Sequence, residues 1–220
     1  FKQTYELKKN KRNLHQFIYA YLKLVGLPTT EEFINKKPGK LSGGQAQRVM
    51  VALVLSKDPE LIIADESTTG LDVSNQKLVI DSFKKIRSSK PDVTMIFISH
   101  DLGFLSHVVD EYYVLYGGFI CEHITDQKQF FNLETLHPYT QDLISSLKSD
   151  SENSKELSAS ADLTRELSGC SYYKECIYKD SDNKLKKKCN NEIPPIINTD
   201  SDNKKNNLNL KWQRCWLRDE

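Results

Sequence analysis

The stretch Leu61-Ile62-Ile63-Ala64-Asp65-Glu66 decides how this chain is read. Four apolar residues run straight into two adjacent carboxylates. A block of this length, entered just after Pro59, predicts a buried strand whose polar end opens on a ligand crevice. Neighbouring residues on a strand point to opposite sides, so the two acids can do different work. Asp65 is suited to hold a hydrated Mg²⁺, which takes one or two carboxylates alongside phosphate and water. Glu66 is suited to polarise an attacking water as a general base. Taken alone, the same six residues also describe a strand that ends in a solvated acidic turn.

The residues upstream narrow the choice. Leu41-Ser42-Gly43-Gly44-Gln45-Ala46-Gln47-Arg48 opens a helix on two glycines, where backbone amides can approach an anion and the helix dipole favours negative charge. Ser42 can add a hydroxyl. That helix is expected to present Ala46, Val49, Met50 and Leu53 on one face and to stop before Pro59. Earlier still, Leu14, Phe17, Ile18, Tyr21, Leu22 and Val25 recur at helical spacing, and Gly26 and Pro28 end the stripe.

Downstream, a helix over 74–88 presents Val79, Phe83 and Ile86. A second buried strand, Val93 to Ile98, ends in Ser99-His100-Asp101, and a short helix follows over 102–109. Tyr112 to Tyr116, Gly117-Gly118 and Phe119 to His123 predict a β-hairpin. Strands alternating with helices indicate an α/β layered domain with a largely parallel sheet.

The composition limits the rest. The chain has 220 residues, with 31 Lys plus Arg against 30 Asp plus Glu, a net charge of +1. That balance argues against a dedicated nucleic-acid binder. Its longest aliphatic run, Val49 to Leu55, falls far short of the roughly twenty residues a membrane helix needs. Hydrophobic residues are 38% of the chain, a low share for a packed domain. The deficit concentrates in a basic lead-in (1–12), a Ser-rich and acidic linker (149–168) and a Cys-bearing tail (169–220). The chain begins with Phe, and the expectation is a record that starts inside a longer protein.

Together these motifs resemble the nucleotide-binding subunit of an ABC transporter, over about residues 14 to 145. Leu41 to Gln45 are similar to the family's signature motif, and Leu61 to Glu66 to Walker B with its catalytic glutamate. Ser67-Thr68-Thr69-Gly70-Leu71-Asp72 is similar to the D-loop, and His100 to the switch histidine. The resemblance implies a P-loop NTPase-like (RecA-like) α/β core with a helical signature subdomain at about 11–58, catalytic core at 59–123 and extension at 124–148. It implies a head-to-tail dimer with nucleotide between two ATPase subunits. Ser42, Gly43, Gly44 and Gln45 would face the γ-phosphate of ATP held by the opposite subunit, and Asp72 would lie at the seam. Asp65, with Mg²⁺, and the catalytic Glu66 and His100 would act on the subunit's own ATP.

Two features depart from the family. No G-x-x-x-x-G-K-[ST] phosphate loop and no glutamine loop occur in the 220 residues, so this stretch alone is expected to be inactive as an ATPase. Ser67 stands where the family usually has Pro.

His137-Pro138-Tyr139-Thr140, followed by Leu143, resembles the C-terminal signature of the oligopeptide/dipeptide/nickel importer ATPases; Val49-Met50 and Asp72-Val73-Ser74-Asn75-Gln76 resemble the same branch. That branch implies peptide uptake, with two membrane permease subunits and, indirectly, an extracellular peptide-binding protein as partners. It also implies a peripheral position on the cytoplasmic side of the membrane. Import of a metal chelate, such as nickel, is the alternative. A soluble ABC protein of DNA repair or translation is a rival from another class, and a redox- or iron-sensing module a third. By spacing, Cys170, Cys176, Cys189 and Cys215 are a metal site or plain thiols, lacking the C-x₂₋₄-C pairs of zinc sites. The order Gly169-Cys170, Cys176, Cys189, Pro194-Pro195, Cys215 resembles a tail in that branch, some members of which hold a [4Fe–4S] cluster there. Cys121 lies outside the pattern and reads as a buried hairpin thiol.

Overall fold

The computed structural model describes residue 1 and residues 14–125, 137–148, 168–198 and 210–218. The rest of the lead-in, residues 126–136 and the linker over 149–167 lie outside the described residues. The chain forms two compact units, residues 1–109 and 110–220.

In the first unit, helix α1 (Leu14–Leu24) buries Phe17 and Leu22 of its expected stripe, with Val25 just beyond it. Its end is a Schellman turn. Gly26 adopts φ +65, its amide donates to the Lys23 carbonyl, and the Leu27 amide donates to the Leu22 carbonyl. Two further carbonyls at this end take side-chain donors from other helices: Ser82 Oγ on Val25 and Arg48 Nη1 on Gly26. After the short α2 (Glu31–Ile34) comes α3 (Gly43–Ser56), the helix that opens on the two glycines.

The buried face of α3 is Gly44, Arg48, Ala52, Leu55 and Ser56, whereas Met50 is exposed. This corrects the expected face through Ala46, Val49, Met50 and Leu53. An arginine sits in the middle of the buried stripe and hides it from an apolar count. Its guanidinium is tolerated there because Nε reaches the Gly44 carbonyl and Nη1 the Gly26 carbonyl.

Strand β1 (Leu61–Asp65) pairs in parallel with β2 (Thr94–Ile98), Leu61 opposite Thr94 and Asp65 opposite Ile98. Helix α4 (Val73–Ser89) crosses between them and buries Val79, Phe83 and Ile86 as its spacing predicts. Helix α5 (Leu102–Val108) follows β2. Phe83, Phe97 and Phe104 meet edge to face, centroids 4.8 to 6.3 Å apart, locking α4, β2 and α5 together. Each such pair contributes about 1 kcal/mol beyond its buried area. The strands are not buried on both faces, as their unbroken apolar runs suggest: Leu61, Ile63, Ile96 and Ile98 are exposed.

The second unit is built differently. Strands β3 (Tyr112–Tyr116) and β4 (Phe119–Ile124) form the expected hairpin, with both turn glycines at positive φ, as a two-residue hairpin turn requires. After α6 (Pro138–Lys148) and α7 (Asn183–Asn191), the tail supplies β5 (Ile197–Asn198) and β6 (Leu210–Gln213). The resulting sheet runs β3-β4-β6-β5 and is antiparallel throughout, so parallel pairing is confined to the first unit. A bulge at Cys121 breaks the alternation of β4, and Cys121, Glu122, His123 and Ile124 are buried in succession.

Candidate functional site

The polar ends of β1 and β2 come together as the sequence predicts. The Glu66 amide extends the ladder to the Ile98 carbonyl at 2.8 Å, and the residue turns sharply there with φ +47. A non-glycine residue in this region carries strain, and the surrounding bonds hold it. Glu66 Oε1 lies 3.0 Å from His100 Nδ1, and Oε2 accepts the Thr69 hydroxyl at 2.8 Å. The Thr69 bond, then the His100 contact, hold the Glu66 carboxyl below the usual carboxylate range. The site is open: 42% of the Glu66 side chain and 81% of that of His100 are exposed. Asp65 is exposed too, at the end of the strand carrying Leu61 and Ile63 on its open face.

Sequence reasoning missed the residues that support this pair. Thr69 is one. Asp101 is another: it caps α5 through the Phe104 amide and accepts Gln76 Nε2, tying the loop after His100 to α4. An acid one position before a helix is a legible cap. Its second bond, 25 residues away in sequence, is not. Ser67 has a buried hydroxyl with no hydrogen-bond partner among the described residues.

Ser42 and Gln45 form a reciprocal capping box, each side chain accepting the other's amide at 3.2 Å. That leaves the amides of Gly43 and Gly44 at the helix start without a partner among the described residues, where an anion would meet them. Leu71 packs 3.6 Å from where a Gly43 Cβ would stand, and Asn75 closes on Gly44. Asp72 caps α4 through the Asn75 amide, which with the Asn75 side chain lowers its pKa. The described contacts thus form two groups, Glu66 with Thr69 and His100, and Ser42 to Gln45 with Leu71 to Asn75.

In the second unit, Cys170, Cys176, Cys189 and Cys215 all line one cavity, with Tyr172 and Trp216. Gly169 admits no side chain, since a Cβ would stand 2.4 Å from the Cys189 carbonyl oxygen. The Cys170 amide donates to that same oxygen at 2.8 Å. All four are free thiols. Burial first, and then the neighbouring sulfurs, push Cys189 and Cys215 up to about 12; Cys170 and Cys176 are raised mainly by burial. Among the described residues, no three His, Cys, Asp or Glu side chains are grouped so as to hold a metal ion. Cys121, expected as a buried hairpin thiol, is one, and burial raises it to about 12.

The His137-Pro138-Tyr139-Thr140 motif starts α6 and is locked by a residue the sequence did not flag. Glu122 is fully buried and accepts the His137 amide at 3.0 Å and the Thr140 hydroxyl at 2.6 Å. His137 Nδ1 in turn accepts the Tyr139 amide, and burial lowers its pKa to about 4, so the ring is neutral.

A family model described as ABC transporter matches residues 1–69. The match spans helices α1 to α3 and strand β1 of the first unit. Over 139 residues the chain is 41% identical to the oligopeptide transport ATP-binding protein OppD of Bacillus subtilis, covering 63% of this chain and 38% of that protein. Over 173 residues it is 35% identical to the dipeptide transport ATP-binding protein DppD of the same organism, covering 77% and 51%. The chain therefore spans about half the length, or less, of these curated relatives. Among solved structures, an ATP-binding cassette of an ABC transporter in its ADP conformation is 24% identical, with a TM-score of 0.49, covering 61% of this chain and 51% of that one.

Proposed function

We propose that this chain is part of the ATP-hydrolysing subunit of an ABC importer that drives uptake of oligopeptides or dipeptides, working peripherally on the cytoplasmic side of the membrane. The observation that carries this reading is the Glu66–His100 pair at the ends of two parallel strands, in an ABC domain whose curated relatives are named for peptide transport. No described helix is long and apolar enough to cross a membrane. Transport then requires permease subunits, and a second ATPase subunit completes the sites head to tail.

The residues present suit the chemistry of ATP and Mg²⁺. Asp65, exposed at a strand end, is the carboxylate that would hold a largely hydrated Mg²⁺. The unpartnered Gly43 and Gly44 amides and the Ser42 hydroxyl would hold the terminal phosphate bound by the facing subunit. The metal supplies charge neutralisation for phosphoryl transfer. Glu66 stays ionised, accepts a hydrogen bond from the attacking water and draws its proton away. Thr69 and His100 keep its two oxygens aimed, which is where most of the catalytic gain of such sites lies. In the full-length subunit, Glu66→Gln should retain ATP binding and lower turnover by about 10²–10⁴-fold. Unchanged hydrolysis by that variant removes Glu66 from the role. The 220 residues by themselves, which hold no phosphate-loop sequence, should not hydrolyse ATP.

The thiol cavity supports a [4Fe–4S] cluster as its occupant. Thiols grouped around one ion must converge on a point, whereas a cluster offers each thiolate its own iron and asks only that the four surround a common void. Four buried thiols whose ionisation is suppressed, first by burial, are suited to a cationic iron core that would stabilise their thiolates. Anaerobically purified full-length protein should contain about four irons and as many acid-labile sulfides per chain. Iron-free material after reconstitution, with the four thiols still titrating, overturns this assignment.

A further inference from the structure

Gly44 is the second residue of α3 and is buried, although it stands in the turn that would meet phosphate. A Cβ added there would lie 2.5 Å from Asn75 Oδ1 and 2.8 Å from Asn75 Cγ. The Asn75 amide group is therefore laid directly against the glycine Cα. From another direction, Arg48 Nε grips the Gly44 carbonyl at 3.1 Å.

Asn75 has a second attachment. Its backbone amide donates to Asp72 Oδ1 at 2.9 Å and its side-chain Nδ2 donates to Asp72 Oδ2 at 2.7 Å. An ordinary cap uses one carboxylate oxygen and leaves the other to solvent. Here one residue occupies both, and so fixes the plane of the carboxylate. Leu71, one position before Asp72, packs on Gly43. The start of α4 and the start of α3 are thus joined by one short, flat, polar side chain.

We propose that Asn75 is a positioning residue that presents the Ser42–Gln45 turn and Asp72 to the facing ATPase subunit as one rigid surface. This rests on the nucleotide-site reading above. The reason for asparagine is physical. Its carboxamide is small enough to lie on a glycine Cα, and its NH₂ group donates to Asp72. Aspartate at this position would keep the shape and set two carboxylates against each other.

The test uses the full-length subunit in its assembled transporter. Glu66→Gln silences the site of the subunit that carries it, so a dimer with one such chain reports a single active site. With Asn75→Asp and Glu66→Gln in the same chain, the active site is the one facing the altered turn. Its turnover should fall about tenfold, relative to Glu66→Gln alone, with the apparent KM for ATP changed less than threefold. With the two substitutions in opposite chains, the active site faces an unaltered turn, and turnover should stay within about twofold of Glu66→Gln alone. Where the natural partner is a different ATPase, its corresponding glutamate takes the substitution in the second arrangement.

Equal losses in both arrangements would mean that Asn75 serves only the fold, and no loss in either would mean that it positions nothing; each result overturns the proposal. If Glu66→Gln alone leaves both sites turning over, the reading of the nucleotide site fails first and this inference fails with it. Asn75→Leu, which keeps bulk against Gly44 and removes the donor to Asp72, should repeat the same-chain loss at smaller size if the aspartate variant does not assemble.

Discussion

Glu66 and Glu122 have nearly the same hydrogen-bond partners and opposite surroundings. Each carboxylate meets a threonine hydroxyl through one oxygen and a histidine through the other, the ring of His100 for Glu66 and the backbone amide of His137 for Glu122. Glu66 is 42% exposed at the end of a strand, with backbone at φ +47. Glu122 is wholly buried in the middle of a strand and holds the first turn of α6. The bonds are alike, and burial sets the job. An exposed carboxylate can exchange its partners for water and substrate. A buried one cannot lose a partner without leaving another polar group unsatisfied.

Stability measurements offer the strongest test of this contrast. Glu122→Ala strands the His137 amide and the Thr140 hydroxyl in a dry interior and opens a void, so denaturant unfolding should report a loss of about 3 kcal/mol or more. Glu66→Ala in the same measurement should leave stability nearly unchanged, because its partners return to water. A loss at Glu66 comparable to that at Glu122 would break the comparison.

A change of similar size is expected from pH. His137 has a folded pKa of about 4 against an ordinary 6.5 because it is buried. Between those values the unfolded chain binds the proton and the folded one does not, so stability rises with pH across that window. The second unit should therefore lose up to about 3 kcal/mol between pH 6.5 and pH 4. His137→Asn should flatten that slope, and an unchanged slope would place the titration elsewhere. For Glu66 the folded pKa is lowered below its ordinary 4.5. Its stabilising contacts are present above the unfolded value and lost as pH falls through the folded one, a lower window than that of His137.

Smaller effects sharpen the picture. Gly169→Ala must displace the Cys189 and Asn190 carbonyls, at a cost of about 1–3 kcal/mol. The loss should appear in unfolding of the second unit even in iron-free protein. Ser67→Ala removes a buried hydroxyl that has no partner among the described residues, and should leave stability unchanged or raise it by under about 1 kcal/mol. A clear destabilisation would show that Ser67 has a partner in the assembled subunit.

The local elements were legible because short-range rules govern them. The Gly26 end of α1 and the Gly117-Gly118 hairpin were read from a few adjacent residues, and the Ser42–Gln45 capping box and the Asp72 cap, which were not read, follow from equally short stretches. The face of α3 was not, because Arg48 is buried by bonds to a carbonyl 22 residues away. The antiparallel sheet was half legible: the hairpin is local, but pairing of β4 with β6 joins residues nearly ninety positions apart.

The sequence by itself placed two carboxylates at the end of an apolar strand and two glycines at a helix start, since both depend on order along the chain. It also placed the four thiols in one tail. Only the tertiary structure decided which acids are open to solvent and which are fixed, because burial is a property of packing between distant segments. It alone put Asn75 against Gly44 and gathered the thiols around one cavity, since neither contact leaves a period or a spacing in the chain.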